Sequence, residues 1–177
     1  MTTPEAAEAF RFRLRDYRAA DFARMCQIDA ECFPPEIAFG TGEMRQNLRP
    51  KDAIVVIAET ESAQIAGFVI ARRLRGNIGH VITVDVLQAY RRRGLGRRLM
   101  LAAEERLQAL GVEQLRLETA CGNRAAQRLF AKLGFVRVRR VAHYYPDGAD
   151  AWVMERTLES ASQRDAQAAD QAAGQRS

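Results

Sequence analysis

The sequence predicts an α/β protein, with a central mixed β-sheet of about seven strands and helices on both faces. Two observations lead to this fold class. Short apolar runs bounded by polar or glycine-containing turns recur along the chain, which is typical of strands. Segments with apolar side chains at helical spacing separate several of these runs, so that a β-meander is followed by a β-α-β-α-β-β order.

The N-terminal half is predicted to contain three strands and two helices. The predicted elements are a strand over residues 10–15, helices over 21–33 and 43–48, and strands over 53–58 and 65–71. The first strand alternates apolar and charged residues, which indicates an edge strand. Pro34 and Pro35 end the first helix. The polar turn between the last two strands predicts a hairpin.

The C-terminal half is predicted to alternate strands and helices. The predicted elements are a strand over residues 80–86, a helix over 95–110, a strand over 114–119, a helix over 123–133, and strands over 135–143 and 151–157. Gly111 and Gly134 follow the two helices, and glycine is favourable just after a helix. Asn123 is a good N-cap for the second of these helices.

Length and composition predict one globular domain. The chain has 177 residues, of which 47% are hydrophobic and 28% are charged. No apolar run approaches the roughly 20 residues of a membrane span, and the N-terminus lacks a secretory signal pattern, so we expect a cytoplasmic protein with no membrane partner. The domain is predicted over residues 10–159, with a flexible N-terminus at 1–9 and a disordered tail at 160–177.

The cysteines and histidines do not predict a metal site. Cys26, Cys32 and Cys121 are odd in number and follow no metal-binding spacing, which favours reduced thiols. His80 and His143 form no familiar zinc pattern with them. We therefore expect no metal.

The positive charge favours a small polyanion over nucleic acid. The formal net charge is +5, and nearly all of the positive charge is arginine. These arginines are spread along the chain, and aromatic residues do not alternate with them as they do in a base-stacking surface. We therefore expect no nucleic-acid partner.

Residues 84–100 form the most informative stretch, which is predicted as a buried strand, an arginine-rich turn and a helix start. Gly94 and Gly96 have no Cβ, so the backbone there can approach a ligand closely. The first N–H groups of the helix lack helical partners and lie at the positive end of its dipole, which suits a pyrophosphate. The alternative is an ordinary strand–turn–helix with a solvated basic turn.

The spacing of this turn, R-x-x-G-x-G, differs from other phosphate-binding loops. A Walker A loop ends in Gly-Lys followed by Ser or Thr, which is missing here. A dinucleotide fingerprint needs a third glycine where this chain has Leu99.

Four stretches occur in the order typical of one enzyme family: Gly79–Val86, Arg91–Gly96, Leu117–Phe135 and Tyr144–Met154. On these motifs, residues 12–158 resemble the GNAT superfamily of acetyl-coenzyme A-dependent N-acetyltransferases. The first and last stretches are similar to protein N-terminal acetyltransferases, including the RimI-type ribosomal-protein alanine acetyltransferases. The resemblance implies a GNAT-like fold and acetyl-CoA (acetyl-coenzyme A) as the cofactor.

The resemblance also implies which residues surround the cofactor. The strand before the glycine turn would pair with the pantetheine arm, the N–H groups of the turn would hold the pyrophosphate, and Asn123 would reach the cofactor, cap its helix, or both. The residues concerned are Val84, Asp85, Val86, Arg91, Arg92, Arg93, Gly94, Leu95, Gly96, Arg97, Asn123 and Phe130. Relatives often have a small apolar residue at Asp85, so this side chain either faces a polar groove or has a neighbouring donor.

Acetyl transfer to an amine needs a base, donors for the developing oxyanion and a path for the leaving thiolate. By resemblance, Glu118 is the base and acts through water. The alternative is a surface carboxylate paired with Arg116 or Arg137. Leu115 and Leu117 are expected to face the core, which puts Glu118 on the other face of its strand. A backbone N–H of the 84–86 strand is expected to stabilise the oxyanion.

One position departs from the family pattern. The alanine acetyltransferases have a tyrosine at the position of Phe130, and that tyrosine protonates the leaving thiolate. Phenylalanine has no proton to donate, so Tyr144, Tyr145 or water is expected to substitute. A thiol of pKa about 8.5 is also a tolerable leaving group without full protonation.

The resemblance implies a protein N-terminus as the acceptor. An α-amine has a pKa near 8, against about 10.4 for lysine, which suits a modest base acting through water. The predicted peptide-binding residues are Glu36, Phe39, Tyr144 and Tyr145, with packing at a loop edge as the alternative for the aromatic ones. A small-molecule amine or antibiotic, a lysine side chain, and a non-catalytic coenzyme A-binding module are the alternative functions. A monomer or a homodimer is expected.

Overall fold

The computed structural model describes residues 11–159, and the predicted flexible ends at 1–9 and 160–177 lie outside the described residues. The elements are β1 (Phe12–Asp16), α1 (Phe22–Cys32), α2 (Thr41–Leu48), β2 (Ala53–Thr60), β3 (Ile65–Arg73), β4 (Ile78–Val86), α3 (Leu95–Ala109), β5 (Gln114–Ala120), α4 (Arg124–Lys132), β6 (Val136–Val141) and β7 (Ala151–Thr157). Every strand and helix expected from the sequence is therefore found.

The strands form one sheet in the order β1-β2-β3-β4-β5-β7-β6. β4 and β5 are parallel, whereas β1–β2, β5–β7 and β6–β7 are antiparallel, so the predicted mixed sheet is confirmed. β1 lies at an edge of the sheet, as its alternating sequence indicates. The parallel ladder runs from Ile78↔Gln114 to Val81↔Leu117, and β4 continues beyond it to Val86.

Several element boundaries differ from expectation by one or two residues, and at two of them a local hydrogen bond is the reason. α2 begins two residues before the expected Glu43, because the Glu43 carboxylate accepts from the N–H of Gly40 at 3.1 Å and caps an earlier turn. β6 ends at Val141, because His143 has a φ of +51° and donates its N–H to the Asp150 carboxylate at 2.9 Å. A left-handed residue cannot continue a strand.

The described residues fall into two compact units, one formed by 11–70 and 83–103 and the other by 71–82 and 104–159. Large, fully buried apolar side chains of the first unit include Met25, Ile28, Met44, Ile57, Phe68, Ile70, Leu95 and Leu99. Those of the second include Leu107, Leu115, Leu117 and Met154. Burial of each such side chain contributes about 1.5–3 kcal/mol. Every helix in the described part is too short or too polar to cross a bilayer.

One buried ionic cluster ties β1 to its surroundings in the first unit. Arg15 donates to both carboxylate oxygens of Asp21, at 2.7 and 2.9 Å, and also to Glu59. The side chains of Arg15 and Asp21 are only 13% and 9% exposed. The guanidinium holds the pKa of Asp21 below its usual value. Removal of Arg15 would therefore leave a buried negative charge unpaired.

Candidate active site

Glu118 lies near the end of β5 in the second unit, on the face opposite the buried Leu115 and Leu117, as predicted. Its Oε2 lies 2.6 Å from Nε2 of His80, which β4 positions on the neighbouring parallel strand. An ionised carboxylate only accepts hydrogen bonds, so Nε2 of His80 is the donor to it. The side chains of His80 and Glu118 are 19% and 16% exposed, so this pair is shielded but reachable by water.

The alternative pairing of Glu118 with Arg116 or Arg137 is wrong. Arg116 pairs with Glu155 at 2.7 Å, and Arg137 donates to Gln127 at 2.5 Å. Both arginines are thereby engaged by residues other than Glu118. The sequence pointed to His80 only as a possible metal ligand, so its contact with Glu118 was not predicted.

His80 and Glu118 each occupy one of the less buried positions that alternate with core positions along their strands. This alternation could indicate their contact only once β4 and β5 are known to be neighbours.

Two tyrosines lie beside Glu118, in the loop between β6 and β7. Tyr144 lies close enough to Glu118 to be influenced by its charge, and its ring packs edge-on against that of Tyr145 with ring centres 4.9 Å apart. Burial, and then the negative charge of Glu118, raises the pKa of Tyr144. Burial and the neighbouring Tyr144 raise the pKa of Tyr145 to about 12. Both phenols therefore keep their protons at neutral pH, and the structure brings the three predicted catalytic residues together.

The glycine turn in the first unit has the backbone geometry that its sequence indicates. Gly94 has a φ of +75°, which favours glycine, and a Cβ built there would meet nothing within 4 Å. The first helical hydrogen bond of α3 runs from the N–H of Arg98 to the carbonyl of Gly94 at 3.1 Å. The preceding N–H groups, those of residues 94–97, have no acceptor within the helix. The turn thus combines open space with unpaired backbone donors at a helix N-terminus.

The five arginines around this turn differ in their roles. Arg91 donates to the carbonyl of Val86 at 2.8 Å, and Arg98 donates to the carbonyl of Phe12 at 2.8 Å, so these two side chains are held by the protein backbone. Arg92 and Arg97 are exposed. The structure therefore assigns a structural contact to Arg91 and Arg98 and presents Arg92 and Arg97 to solvent beside the turn.

Asp85 is buried, and the open question about it is resolved in favour of a neighbouring donor. Asp85 is only 1% exposed, and its carboxylate accepts a hydrogen bond from the hydroxyl of Thr83 at 2.5 Å. The backbone around it is tightly packed, because a Cβ on Gly67 would collide with the carbonyl oxygen of Asp85. The neighbouring Val86 carbonyl is approached by Arg91 and, at 3.5 Å, by the thiol of Cys32.

The remaining predicted cofactor residues are in α4. Asn123 accepts from the N–H of Ala126 at 3.1 Å, which confirms it as the N-cap. Phe130 is 5% exposed and packs against Phe135 with ring centres 5.9 Å apart. The roles of Asn123 and Phe130 toward a cofactor stay predictions.

The predicted acceptor residues Glu36 and Phe39 lie in the first unit, in the loop between α1 and α2. This loop turns at Pro34, whose carbonyl accepts from the N–H groups of Ile37 and Ala38, both at 2.9 Å. Glu36 is exposed and Phe39 is half-buried. The N–H of Phe39 donates to the Asp29 carboxylate at 2.6 Å, which fixes the end of the loop.

The three cysteines are free thiols, as expected. Within residues 11–159, no group of three or more histidine, cysteine, aspartate or glutamate side chains is arranged to hold a metal ion.

Comparison with known proteins agrees with the fold and the motifs. Residues 22–135 match the sequence model of the Acetyltransferase (GNAT) family. An N-alpha-acetyltransferase of Sulfurisphaera tokodaii is 29% identical over 170 residues, which cover 89% of this chain and 100% of that relative.

Two solved structures illustrate the similarity of fold. The ribosomal-protein-S18-alanine N-acetyltransferase of Escherichia coli superposes with a TM-score of 0.76 at 23% identity, over 85% of this chain and 96% of that one. The structure of Arabidopsis thaliana NAA60 in complex with acetyl-CoA superposes with a TM-score of 0.73 at 19% identity, over 84% of this chain and 99% of that one. The family match covers both the glycine turn and Glu118, and the sheet has the fold of these enzymes. The chain therefore belongs to the GNAT family of acetyltransferases.

Proposed function

We propose that this acetyltransferase transfers the acetyl group of acetyl-CoA to the N-terminal α-amine of a protein, with both substrates bound together. The hydrogen bond between Glu118 and His80, with Tyr144 nearby, carries the proposal, because it assembles groups that can accept and donate protons. The relative from Sulfurisphaera tokodaii is named an N-alpha-acetyltransferase, and the Escherichia coli neighbour is named for an alanine of ribosomal protein S18. A ribosomal-protein-like N-terminus is therefore the first acceptor to test.

The turn before α3 fits a cofactor that contains a pyrophosphate. Its unpaired N–H groups at 94–97 and the open space at Gly94 suit an anion at a helix N-terminus. The exposed Arg92 and Arg97 would add positive charge, and the part of β4 beyond the parallel ladder, residues 84–86, would bond to the pantetheine arm. Acetyl-CoA supplies the activated acetyl thioester.

Glu118 would accept the proton that the amine must lose. An α-ammonium group has a pKa near 8 and is mostly protonated at neutral pH, so its nitrogen attacks only after deprotonation. The hydrogen bond from Nε2 of His80 orients the carboxylate. The partial exposure of both side chains allows the proton to travel through a water molecule.

Tyr144 would protonate the leaving thiolate in place of the hydroxyl that Phe130 lacks. Its raised pKa keeps the phenol protonated at neutral pH, and Tyr144 is 45% exposed, so a substrate can reach it. Tyr145 supports the Tyr144 ring through their edge-on contact.

Glu36 and Phe39 would contact the acceptor. The exposed carboxylate of Glu36 can attract an α-ammonium group, and the half-buried ring of Phe39 offers an apolar surface to the first side chain of a peptide. We also propose that residues 10–159 form the catalytic domain.

The test is release of coenzyme A thiol by the purified full-length chain with acetyl-CoA and peptides that differ in their first residue. Peptides with a free N-terminus should support turnover, and the same peptides with a blocked N-terminus and an internal lysine should not. Mass spectrometry of the product should place the acetyl group on the α-nitrogen.

Other outcomes would replace the proposal. Turnover with blocked, lysine-containing peptides or with small amines alone would assign a different acceptor. Calorimetric binding of coenzyme A without turnover on any amine would favour the non-catalytic module that Phe130 suggests. Absence of coenzyme A binding to folded protein would refute the cofactor assignment.

A further inference from the structure

Two aspartates of the first unit are buried in contact with each other. Asp29 belongs to α1 and Asp85 to β4, each residue is 1% exposed, and the two carboxyl groups lie close enough to influence each other's pKa. A hydrogen bond between two carboxyl groups needs a proton on one of them, because a carboxylate oxygen only accepts. Two buried carboxylates this close would repel each other if both were ionised.

The other oxygens of the pair have defined donors. Asp85 accepts from the hydroxyl of Thr83 through Oδ1 at 2.5 Å, and Asp29 accepts from the N–H of Phe39 through Oδ2 at 2.6 Å. Oδ1 of Asp29 and Oδ2 of Asp85 are buried and have no hydrogen-bond partner in the described part of the chain. One oxygen of each residue thus remains for the bond between the two carboxyl groups.

The surroundings favour one net negative charge on this pair rather than two. Burial raises the pKa of both carboxyl groups, and that of Asp85 rises well above its usual value. The positive charge of Arg91 lowers the pKa of Asp85 in part, whereas the negative charge of Glu43 raises the pKa of Asp29 further. The thiol of Cys32 also faces the pair, and burial raises its pKa, so it is a neutral neighbour at neutral pH.

We propose that Asp29 and Asp85 share one proton and anchor the loop of residues 34–40 to β4. Asp85 donates to Asp29, and Asp29 in turn holds the N–H of Phe39. The pair therefore connects the strand proposed to bind the cofactor with the loop that carries Glu36 and Phe39. This inference rests on the proposed function, which assigns that loop to the acceptor, and it makes Asp29 a positioning residue.

Infrared spectroscopy of the full chain at neutral pH tests the shared proton independently of activity. The protein should show the carbonyl stretch of an un-ionised carboxyl group. In Asp29→Asn this band should disappear, because the amide N–H₂ replaces the proton as the donor to Asp85, which then ionises. Asp52→Asn, which removes an exposed carboxylate of the same unit, should leave the band unchanged. Absence of the band, or its persistence in Asp29→Asn, would overturn the shared proton.

Steady-state kinetics with the peptide acceptor test the positioning role. Asp29→Ala removes the partner of the Phe39 N–H and should raise the KM for the peptide about tenfold, since a hydrogen bond to a charged group is lost. The kcat and the coenzyme A affinity should change less than twofold. Asp29→Asn keeps an oxygen for Phe39 and should restore the KM to near that of the natural chain.

The outcomes distinguish this inference from the proposed function. If Asp29→Ala unfolds, the infrared band still decides the shared proton, and a KM of Asp29→Asn far above that of the natural chain overturns the positioning role. An unchanged KM in a folded Asp29→Ala, or no recovery in Asp29→Asn, would overturn the positioning role. If the band behaves as expected but no peptide is acetylated, the shared proton stands, and both the proposed acceptor and the positioning role are rejected.

Discussion

The replacement Glu118→Gln tests the proposed base most directly. Glutamine has nearly the same shape and keeps an oxygen that can accept from Nε2 of His80, so the geometry of the pair is retained. What is lost is the ability to take up a proton. A positioned base contributes roughly 10²–10⁴ in rate, or about 2.7–5.4 kcal/mol at 1.36 kcal/mol per tenfold change.

The effect on stability should be much smaller. A hydrogen bond to a charged group is replaced by one between neutral groups, which costs about 1 kcal/mol before solvent screening of the partly exposed pair is considered. A domain with a typical stability of about 5–15 kcal/mol stays folded after this change. Loss of activity and loss of folded protein can therefore be separated.

The assay is thiol release under saturating acetyl-CoA and peptide, together with calorimetry of coenzyme A binding and urea denaturation. The matched control is Glu155→Gln on β7, because Glu155 has a similar exposure of 19% and is held by Arg116 rather than by His80. We expect kcat to fall at least about a hundredfold in Glu118→Gln and little in Glu155→Gln. Full activity of Glu118→Gln with a normal pH profile would refute the role of Glu118 as the base.

Three further predictions concern other features of the molecule. Tyr144→Phe should lower kcat by up to about a hundredfold while preserving coenzyme A affinity; an unchanged kcat would mean that water protonates the thiolate. Gly94→Ala should lower the free energy of unfolding by about 1–2 kcal/mol in urea denaturation, because its φ of +75° is unfavourable for alanine while the added methyl group meets nothing within 4 Å. Arg15→Ala should cost about 3 kcal/mol by unpairing the buried Asp21. Because Arg15 lowers the folded-state pKa of Asp21, this stabilisation is present above the unfolded-state pKa and is lost as pH falls through the folded-state value. Arg15→Ala should therefore weaken the acid dependence of unfolding, and an identical pH dependence in both proteins would contradict this reasoning.

Local patterns were sufficient to predict the elements of the fold. The alternation of β5 placed Leu115 and Leu117 inside and Glu118 on the opposite face, and the structure agrees. The N-cap role of Asn123 was also predictable from the sequence, because a cap depends on the chemistry of a few consecutive residues. Apart from element boundaries, the sequence failed for contacts between distant parts of the chain, such as the hydrogen bond between Glu118 and His80.

The amino-acid sequence by itself determined the mixed α/β architecture, the glycine turn before α3 and the position of Glu118 on its strand. Periodicity and turn chemistry act between neighbouring residues, so they are visible without a structure. The tertiary structure alone decided that Glu118 meets His80, 38 positions away, and that Asp29 meets Asp85. Such contacts depend on which elements become neighbours and in what register they lie. In this chain the packing of the whole sheet sets both, and no short segment does.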